Sequence, residues 1–532
     1  MIYVIGSGPA GVSSAMALVN RGYQVTMLDG GVELEADRAL ILRQLERQDA
    51  ASWDAAAIQR LKENMQSGTS GVALKYVYGS DFPYRETDTL IPKSARHAGI
   101  VSSLAKGGLS NVWGAAVLPY ASEDIVDWPI SIDELAPHYR TVLGFMRLAA
   151  VEDALSSRFP LYCDDFHALP QSRQIERFLN DLGKNRQRLN ARGFLFGGAR
   201  LAVSAQNRYG YECAACGLCT YGCPYGLIYN SAATLDELMA HPAFTYVPDV
   251  VVTKLTEAGE EVTIQATSRS RSKQLSFHAS RVYVGAGVLS TTRLLLESMQ
   301  AYNRVLTVKD SQYFLLPLLR YRAMAGVTSE RVHTLAQAFI EVFDSSLSER
   351  SLHLQVYGYN ELHGQAIQGL MGPFHQLFGF VTKALLERLL LVFGFLHSDV
   401  SPTISISLQA PRNGETSRLL MEGHDNAQTR TVLRRLVAKL AGSRSLLRAL
   451  PLFPMLKLGE PGRGFHSGGT FPMRAKPGEF ESDLLGRPYG FKRVHLVDSS
   501  TFPTVPASTI TLSVMANAHR IASACDEPVA PG

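Results

Sequence analysis

Ile2-Tyr3-Val4-Ile5-Gly6-Ser7-Gly8-Pro9-Ala10-Gly11 opens the chain, and Gln24-Val25-Thr26-Met27-Leu28-Asp29 follows after a stretch holding Ala15, Ala17 and Leu18. The first four residues are an apolar run of strand length. The glycines allow a tight turn and a close backbone approach to a pyrophosphate, which sits at the positive end of the following helix. A second apolar strand, Gln24 to Leu28, then ends in an acid. Asp29 stands about 20 residues from the glycines, placed to hold a ribose hydroxyl rather than a 2′-phosphate. An ordinary strand–turn–helix needs neither the glycines nor the acid at this spacing. The fingerprint predicts a dinucleotide-binding unit without choosing between a flavin and a nicotinamide.

Composition bounds the rest. The 532 residues, 46% hydrophobic and 19% charged, are enough for two cores. A formal net charge of +4 gives no case for nucleic acid as a partner. A buried strand from Ile2 and an apolar run broken at Gly6 do not read as a signal peptide, so the expected address is cytoplasmic.

Four of the six cysteines fall in Cys213-Ala-Ala-Cys216-Gly-Leu-Cys219-Thr-Tyr-Gly-Cys223-Pro224. The spacing C-x2-C-x2-C-x3-C-P is that of ferredoxin loops wrapping an iron–sulfur cluster. Clustered thiols in a chain this long read as ligands, not as a disulfide framework. Three alternatives stay open. All four thiols close on one four-iron cluster, or three of them do with Cys163 or Cys525 as an outside ligand. Zinc also accepts four thiolates, and an empty loop is the third reading.

Further blocks resemble the glucose–methanol–choline oxidoreductases. Ala105-Lys-Gly107-Gly108-Leu-Ser110-Asn111-Val-Trp113-Gly114 is similar to that family's second glycine block, which lies along FAD. Asp127-Trp-Pro-Ile130 with Asp133 to Tyr139, and Val282-Tyr-Val-Gly-Ala286-Gly287 ahead of Leu294 to Leu296, resemble segments of the nucleotide domain. Val494-His-Leu-Val-Asp498 through Pro503 is similar to the closing strand, whose acid approaches the flavin side. The resemblance covers roughly the first 150 residues, the middle and the last 70. It implies FAD bound by Gly6, Gly8, Gly11, Asp29, Gly107, Gly108, Ser110, Asn111, Trp113, Ala286 and Asp498. With Cys213 to Cys223 it resembles the branch of bacterial sugar and alcohol dehydrogenases that pair FAD with an iron–sulfur cluster.

Gly464-Phe-His466-Ser-Gly-Gly469 resembles the segment that presents the family's catalytic histidine. Alcohol oxidation needs a base for the hydroxyl proton while hydride leaves carbon, and imidazole suits that work near neutrality. The family supplies a second His or Asn after the closing strand; here Thr509 stands there, or Ser508 if the correspondence shifts by one. A threonine hydroxyl positions a substrate oxygen but is no base at neutral pH. His519, ten residues beyond Thr509, reads as packing or surface.

The expected fold class is α/β: a Rossmann-type FAD-binding domain with an interleaved antiparallel-sheet (α+β) substrate domain. The expected division is 1–150, 205–310 and 462–532 for the first, carrying the cysteine loop 213–223, and 151–204 and 311–461 for the second. His333 to Phe343, Ser351 to Tyr359 and Thr403 to Leu408 alternate as strands. The apolar stretch from Gly364 to Ser398 reads as packing within the substrate domain, as a lid, or as a peripheral membrane contact. Arg430, Arg434, Arg435, Lys439, Arg444 and Arg448 read as a solvated helix face, with an anionic-lipid site as the other reading.

The function expected is a dehydrogenase oxidising an alcohol, such as a sugar hydroxyl, with FAD as hydride acceptor. Electrons would leave through a four-iron or three-iron cluster to a cytochrome or ferredoxin. The rivals are an oxygen-reducing alcohol oxidase with a structural or zinc-binding cysteine loop, a reductase, desaturase or isomerase acting on an apolar substrate, and a non-catalytic electron-transfer or scaffold subunit.

Overall fold

Five parallel strands run in the order Val494–Leu496, Arg281–Val284, Ile2–Ile5, Val25–Leu28, Phe244–Val247. The computed structural model describes residues 1–63, 74–362, 364–365, 379–412 and 416–524. Ile2–Ile5 and Val25–Leu28 are buried at every position, which is why they read as unbroken apolar runs. Helices Pro9–Asn20, Ile132–Met146 and Thr511–Ser523 cover one face, joining Val12, Ala15, Leu18, Leu135, Val142 and Met515 in one core. On the other face, helix Val288–Ser298 and an antiparallel trio, Val250–Ala258, Glu261–Ser268 and Gln274–Ala279, bury Leu294, Leu296, Leu255 and Ile264 against Ile5 and Val284.

Two of the turn's glycines are forced by sterics. Gly6 has φ of +93°, and a Cβ on Gly11 would stand 1.8 Å from the Gly6 carbonyl oxygen, so helix and strand could not approach as they do.

A second layer is antiparallel. Ala449–Pro451, Tyr313–Arg320, Leu389–Phe395, Leu352–Tyr357, Ala338–Val342 and Phe194–Gly198 are neighbours in that order, and Lys457–Leu458 adds to Tyr313–Arg320. Alternate residues face opposite ways. Phe314, Leu316, Val392, Leu354, Val356, Ile340 and Phe196 point back into a core closed by helices Arg173–Gly183 and Ala427–Gly442. The ring of Phe314 lies where a Cβ on Gly394 would be, within 2.0 Å, so that position takes no side chain. A mixed sheet orders Ser467–Gly468, Leu306–Asp310, Thr403–Gln409, Arg418–His424 and Lys93–Arg96, and its Val308, Ile404 and Ile406 share a core with Val284 and Leu294. The architecture is thus α/β, a Rossmann-type parallel sheet whose strands are interleaved along the chain with those of an antiparallel sheet.

Several expectations shift in detail. The second strand begins at Val25, not Gln24. Of His333 to Phe343 only Ala338–Val342 is a strand, because Gln337 turns the chain: its amide donates to the His333 carbonyl and accepts from Ser172. Ser351 to Tyr359 narrows to Leu352–Tyr357, and Thr403–Gln409 is a strand as expected. Within 364–398 the stretch Leu389–Phe395 is an inner strand of the antiparallel sheet, so this part packs within that sheet. Leu370, Met371, Phe374, Leu377 and Phe378 lie outside the described residues, as does Cys525. No helix among the described residues is long and apolar enough to cross a membrane. Helix Ala427–Gly442 exposes Arg430, Arg434 and Arg435 and buries Val432, Leu433, Leu436, Val437 and Leu440, the amphipathic pattern of a solvated surface helix.

Candidate active site

A groove runs across the ends of the parallel strands. Gly6, Ser7, Gly8, Asp29, Gly108, Gly285, Ala286, Gly287 and Asp498 line it, and it continues to Phe465, Ser467, Ile510 and Thr511. Its floor is backbone. A Cβ on Gly8 would find its nearest neighbour only at 4.0 Å, so open space stands above that residue. Asp29 accepts from the Ser7 amide at 2.9 Å, the Gly31 amide at 3.0 Å and the Tyr246 hydroxyl at 3.0 Å, while burial raises its pKa. Asp498, also raised by burial, accepts from the Gly287 amide at 2.8 Å and from Thr291 at the start of helix Val288–Ser298. A glycine-lined cradle with a backbone turn at a helix start and two wall carboxylates fits the dinucleotide part of FAD.

The second glycine block divides in two. Gly108 lines the groove, with Gly8 3.2 Å from where its Cβ would stand. Gly107, at φ +84°, makes the turn that brings it there. Ser110 and Asn111 hold the loop instead: Ser110 bonds the Gly107 carbonyl and Ser231, and Asn111 donates to the Lys106 and Gly108 carbonyls. Trp113 donates to the Tyr229 carbonyl at 2.8 Å. These three residues, and Gly11 beneath the turn, are not among the groove's lining.

His466 stands where the groove meets the antiparallel sheet. Its ring stacks on Phe395 with centroids 4.6 Å apart, and its Nδ1 is buried without a partner while the residue as a whole keeps partial exposure. Burial, and next the nearby His353, push its pKa down to about 3, so the imidazole is neutral across the ordinary pH range. Its backbone carbonyl accepts from the Ser311 amide at 2.9 Å. Buried Asp310 accepts from the Gly462 amide and from Ser467 Oγ, both at 2.8 Å, pinning the loop on either side of the histidine. Thr509 Oγ1 is already engaged, accepting from the Leu118 amide at 2.7 Å, whereas Ser508 Oγ is buried and unpartnered. His519 pairs with His138, Nδ1 to Nδ1 at 2.8 Å, in the packing of two helices.

The cysteine loop lies behind the second glycine block. Lys75 joins them, its buried ammonium donating to the carbonyls of Trp113 at 3.1 Å and Cys219 at 3.2 Å. Burial lowers Lys75 to about 8. Burial pushes the Cys213 thiol up, Cys216 up to about 11 and Cys223 up to about 12. Cys219 Sγ accepts from the Thr334 amide at 3.4 Å. Among the described residues no group of three or more His, Cys, Asp and Glu is arranged to hold a metal ion. The donor chemistry is that of an iron–sulfur loop.

Asp310, Lys75, Glu341 and His353 were not anticipated. The alternation Leu352-His353-Leu354-Gln355-Val356-Tyr357 carried a signal: polar residues at every second place in a strand buried on both faces mark an internal polar surface.

The fold is shared with solved structures across nearly the whole chain. Pyridoxine 4-oxidase from Mesorbium loti superposes with a TM-score of 0.59 at 16% identity over 98% of each chain. An FAD-dependent oxidoreductase from Chaetomium thermophilum gives 0.59 at 12% identity over 98% of each chain. Formate oxidase from Aspergillus oryzae RIB40 gives 0.57 at 13% identity over 98% of this chain and 97% of the other. No family model matches the sequence, and no curated protein matches it.

Proposed function

We propose that the chain is an FAD-dependent oxidoreductase of the glucose–methanol–choline type that oxidises an alcohol, with His466 as the base. The observation that carries this is the continuity of one groove from the dinucleotide glycines to Phe465 and Ser467, the residues flanking a neutral imidazole. FAD, when bound, supplies a hydride acceptor for the carbinol hydrogen.

The chain's own residues do the remaining work. Gly6 and Gly8 bring backbone up to the pyrophosphate, and Asp29 stands at the ribose position. Asp498 orients the Gly287 amide at the start of its helix. His466 takes the hydroxyl proton, its orientation held by the Phe395 ring below and the Asp310 anchor behind. With Thr509 turned to the Leu118 amide, proton transfer rests on His466 alone.

The electron acceptor is the finer part of the proposal. The C-x2-C-x2-C-x3-C-P spacing supports an iron–sulfur cluster held by Cys213, Cys216, Cys219 and Cys223, and with it a dehydrogenase serving a cytochrome or ferredoxin. A second reading, in which oxygen takes the electrons, is supported by neighbours named as oxidases.

The test is anaerobic purification, assay of flavin, iron, acid-labile sulfide and zinc per chain, and a search for alcohols that bleach the flavin. Bleaching lost in His466→Ala with flavin retained supports the activity; no bleaching by any alcohol overturns it. Stoichiometric iron and sulfide with slow peroxide formation support the dehydrogenase, and fast peroxide formation without iron supports the oxidase.

A further inference from the structure

One face of the antiparallel sheet carries a row of side chains that the proton transfer at His466 does not use. Glu341, on Ala338–Val342, and His353, on Leu352–Tyr357, are directly opposite across the sheet and both fully buried. Glu341 Oε1 lies 2.5 Å from His353 Nδ1. His353 Nε2 meets Gln355 Nε2 at 3.2 Å, and Gln355 Oε1 accepts from the Tyr357 hydroxyl at 2.9 Å. His353, Gln355 and Tyr357 share the face of Phe393 and Phe395, as their register requires.

The amide fixes the direction of this chain. An amide nitrogen only donates, so His353 Nε2 is the acceptor and its proton sits on Nδ1, facing the Glu341 carboxylate. The amide oxygen only accepts, so the Tyr357 proton is committed to Gln355. The phenolic oxygen then offers its lone pairs and no proton to anything else that approaches. A glutamate at 0% exposure is costly to bury, and a chain that uses it to orient a phenol gives that burial a purpose.

Tyr357 stands on the same sheet face as Phe395, the ring that stacks on His466. Its hydroxyl is 3.8 Å from where a Cβ on Gly114, the end of the second glycine block, would stand. Its ring packs on Phe393 at 4.6 Å, and two residues along the same strand face Phe395 carries His466. Phe393 and Phe395 thus form an aromatic floor with the base at one end and the phenol at the other, walled by Tyr313.

We infer that Tyr357 is a specificity-determining residue: the Glu341–His353–Gln355 chain holds its oxygen as a hydrogen-bond acceptor, so the site takes flat alcohols that carry a donor group for it. This rests on the alcohol-oxidising reading but is tested apart from it. Phenol and anisole carry no carbinol hydrogen, so their binding, followed by calorimetry on the protein as purified, is independent of any oxidation.

The wild type binds phenol roughly five- to tenfold more tightly than anisole, the weight of one neutral hydrogen bond. Tyr357→Phe abolishes that preference and leaves anisole binding unchanged. Glu341→Gln keeps the shape, stands away from the ligand and reduces the preference; a merely structural role would weaken both ligands alike. Three results overturn the inference: no preference in the wild type, a preference that survives either substitution, or equal weakening of phenol and anisole. Absence of bleaching by alcohols with the phenol preference intact would instead count against the oxidation alone.

Discussion

Asp310 accepts a hydrogen bond from Ser467 Oγ at 2.8 Å, one residue beyond His466, while its other oxygen takes the Gly462 amide. One buried carboxyl therefore pins both sides of the loop that carries the base. Burial raises its pKa to about 7, above the ordinary carboxyl value. A folded-state value above the unfolded one means stability that is full below about pH 4 and is lost as pH rises toward 7. Asp310→Asn does not titrate. The difference in Tm between wild type and Asp310→Asn should therefore change between about pH 4 and 7 and level off above; a constant difference over that range would show the carboxyl ionised throughout.

Replacing His466 by Ala should slow flavin reduction by an alcohol roughly 10²- to 10⁴-fold, the usual weight of a positioned base, with FAD content unchanged. Because burial holds this imidazole near 3, the wild-type rate should show no inflection around the ordinary histidine value. Stopped-flow reduction followed from pH 5 to 8 checks it. A clear loss of rate near pH 6.5 would mean that the proton goes to a more exposed group.

Much of the nucleotide layer was legible because its strands are buried on both faces and read as continuous apolar runs, and because Gly6 and Gly11 answer steric demands that no other residue meets. Leu389–Phe395 was not, since a short apolar run has the same local pattern in a buried strand as in a packed helix. The partners of the site escaped for another reason. Asp310 meets Ser467, and Lys75 meets Cys219, across more than a hundred residues, and nothing local to either residue encodes the pairing. Ser110, Asn111 and Trp113 show the limit of motif reading: the block lies at the groove, yet these side chains turn away to hold the loop.

Gly8 and Gly11 should separate binding from folding. At Gly8 a methyl group meets nothing in the protein nearer than 4.0 Å but occupies the space where backbone would approach a pyrophosphate. Gly8→Ala should keep the wild-type Tm without FAD and lose FAD affinity at least tenfold. At Gly11 the methyl would stand 1.8 Å from the Gly6 oxygen, so Gly11→Ala should lower the Tm whether or not FAD is present. Differential scanning calorimetry with flavin titration distinguishes the two; full FAD affinity in Gly8→Ala would place the pyrophosphate elsewhere.

Phe395 should govern the acidity of the base as well as its position. The ring is 6% exposed, stacks on His466 at 4.6 Å and contributes to the burial that keeps the imidazole neutral. Phe395→Ala should cost about 3–5 kcal/mol of stability through the cavity it leaves. Water entering that cavity solvates the protonated ring, so the pKa of His466 should climb from about 3 toward the free value of 6.5. More of the base is then protonated at pH 5, and the ratio of flavin-reduction rates at pH 8 and pH 5 should rise from near one to several-fold. Measuring that ratio in Phe395→Leu as well separates the effects. Leucine fills most of the space and keeps water out, so it should retain the flat profile even though it cannot stack. A steep profile in both variants would assign the depressed pKa to ring stacking instead of burial.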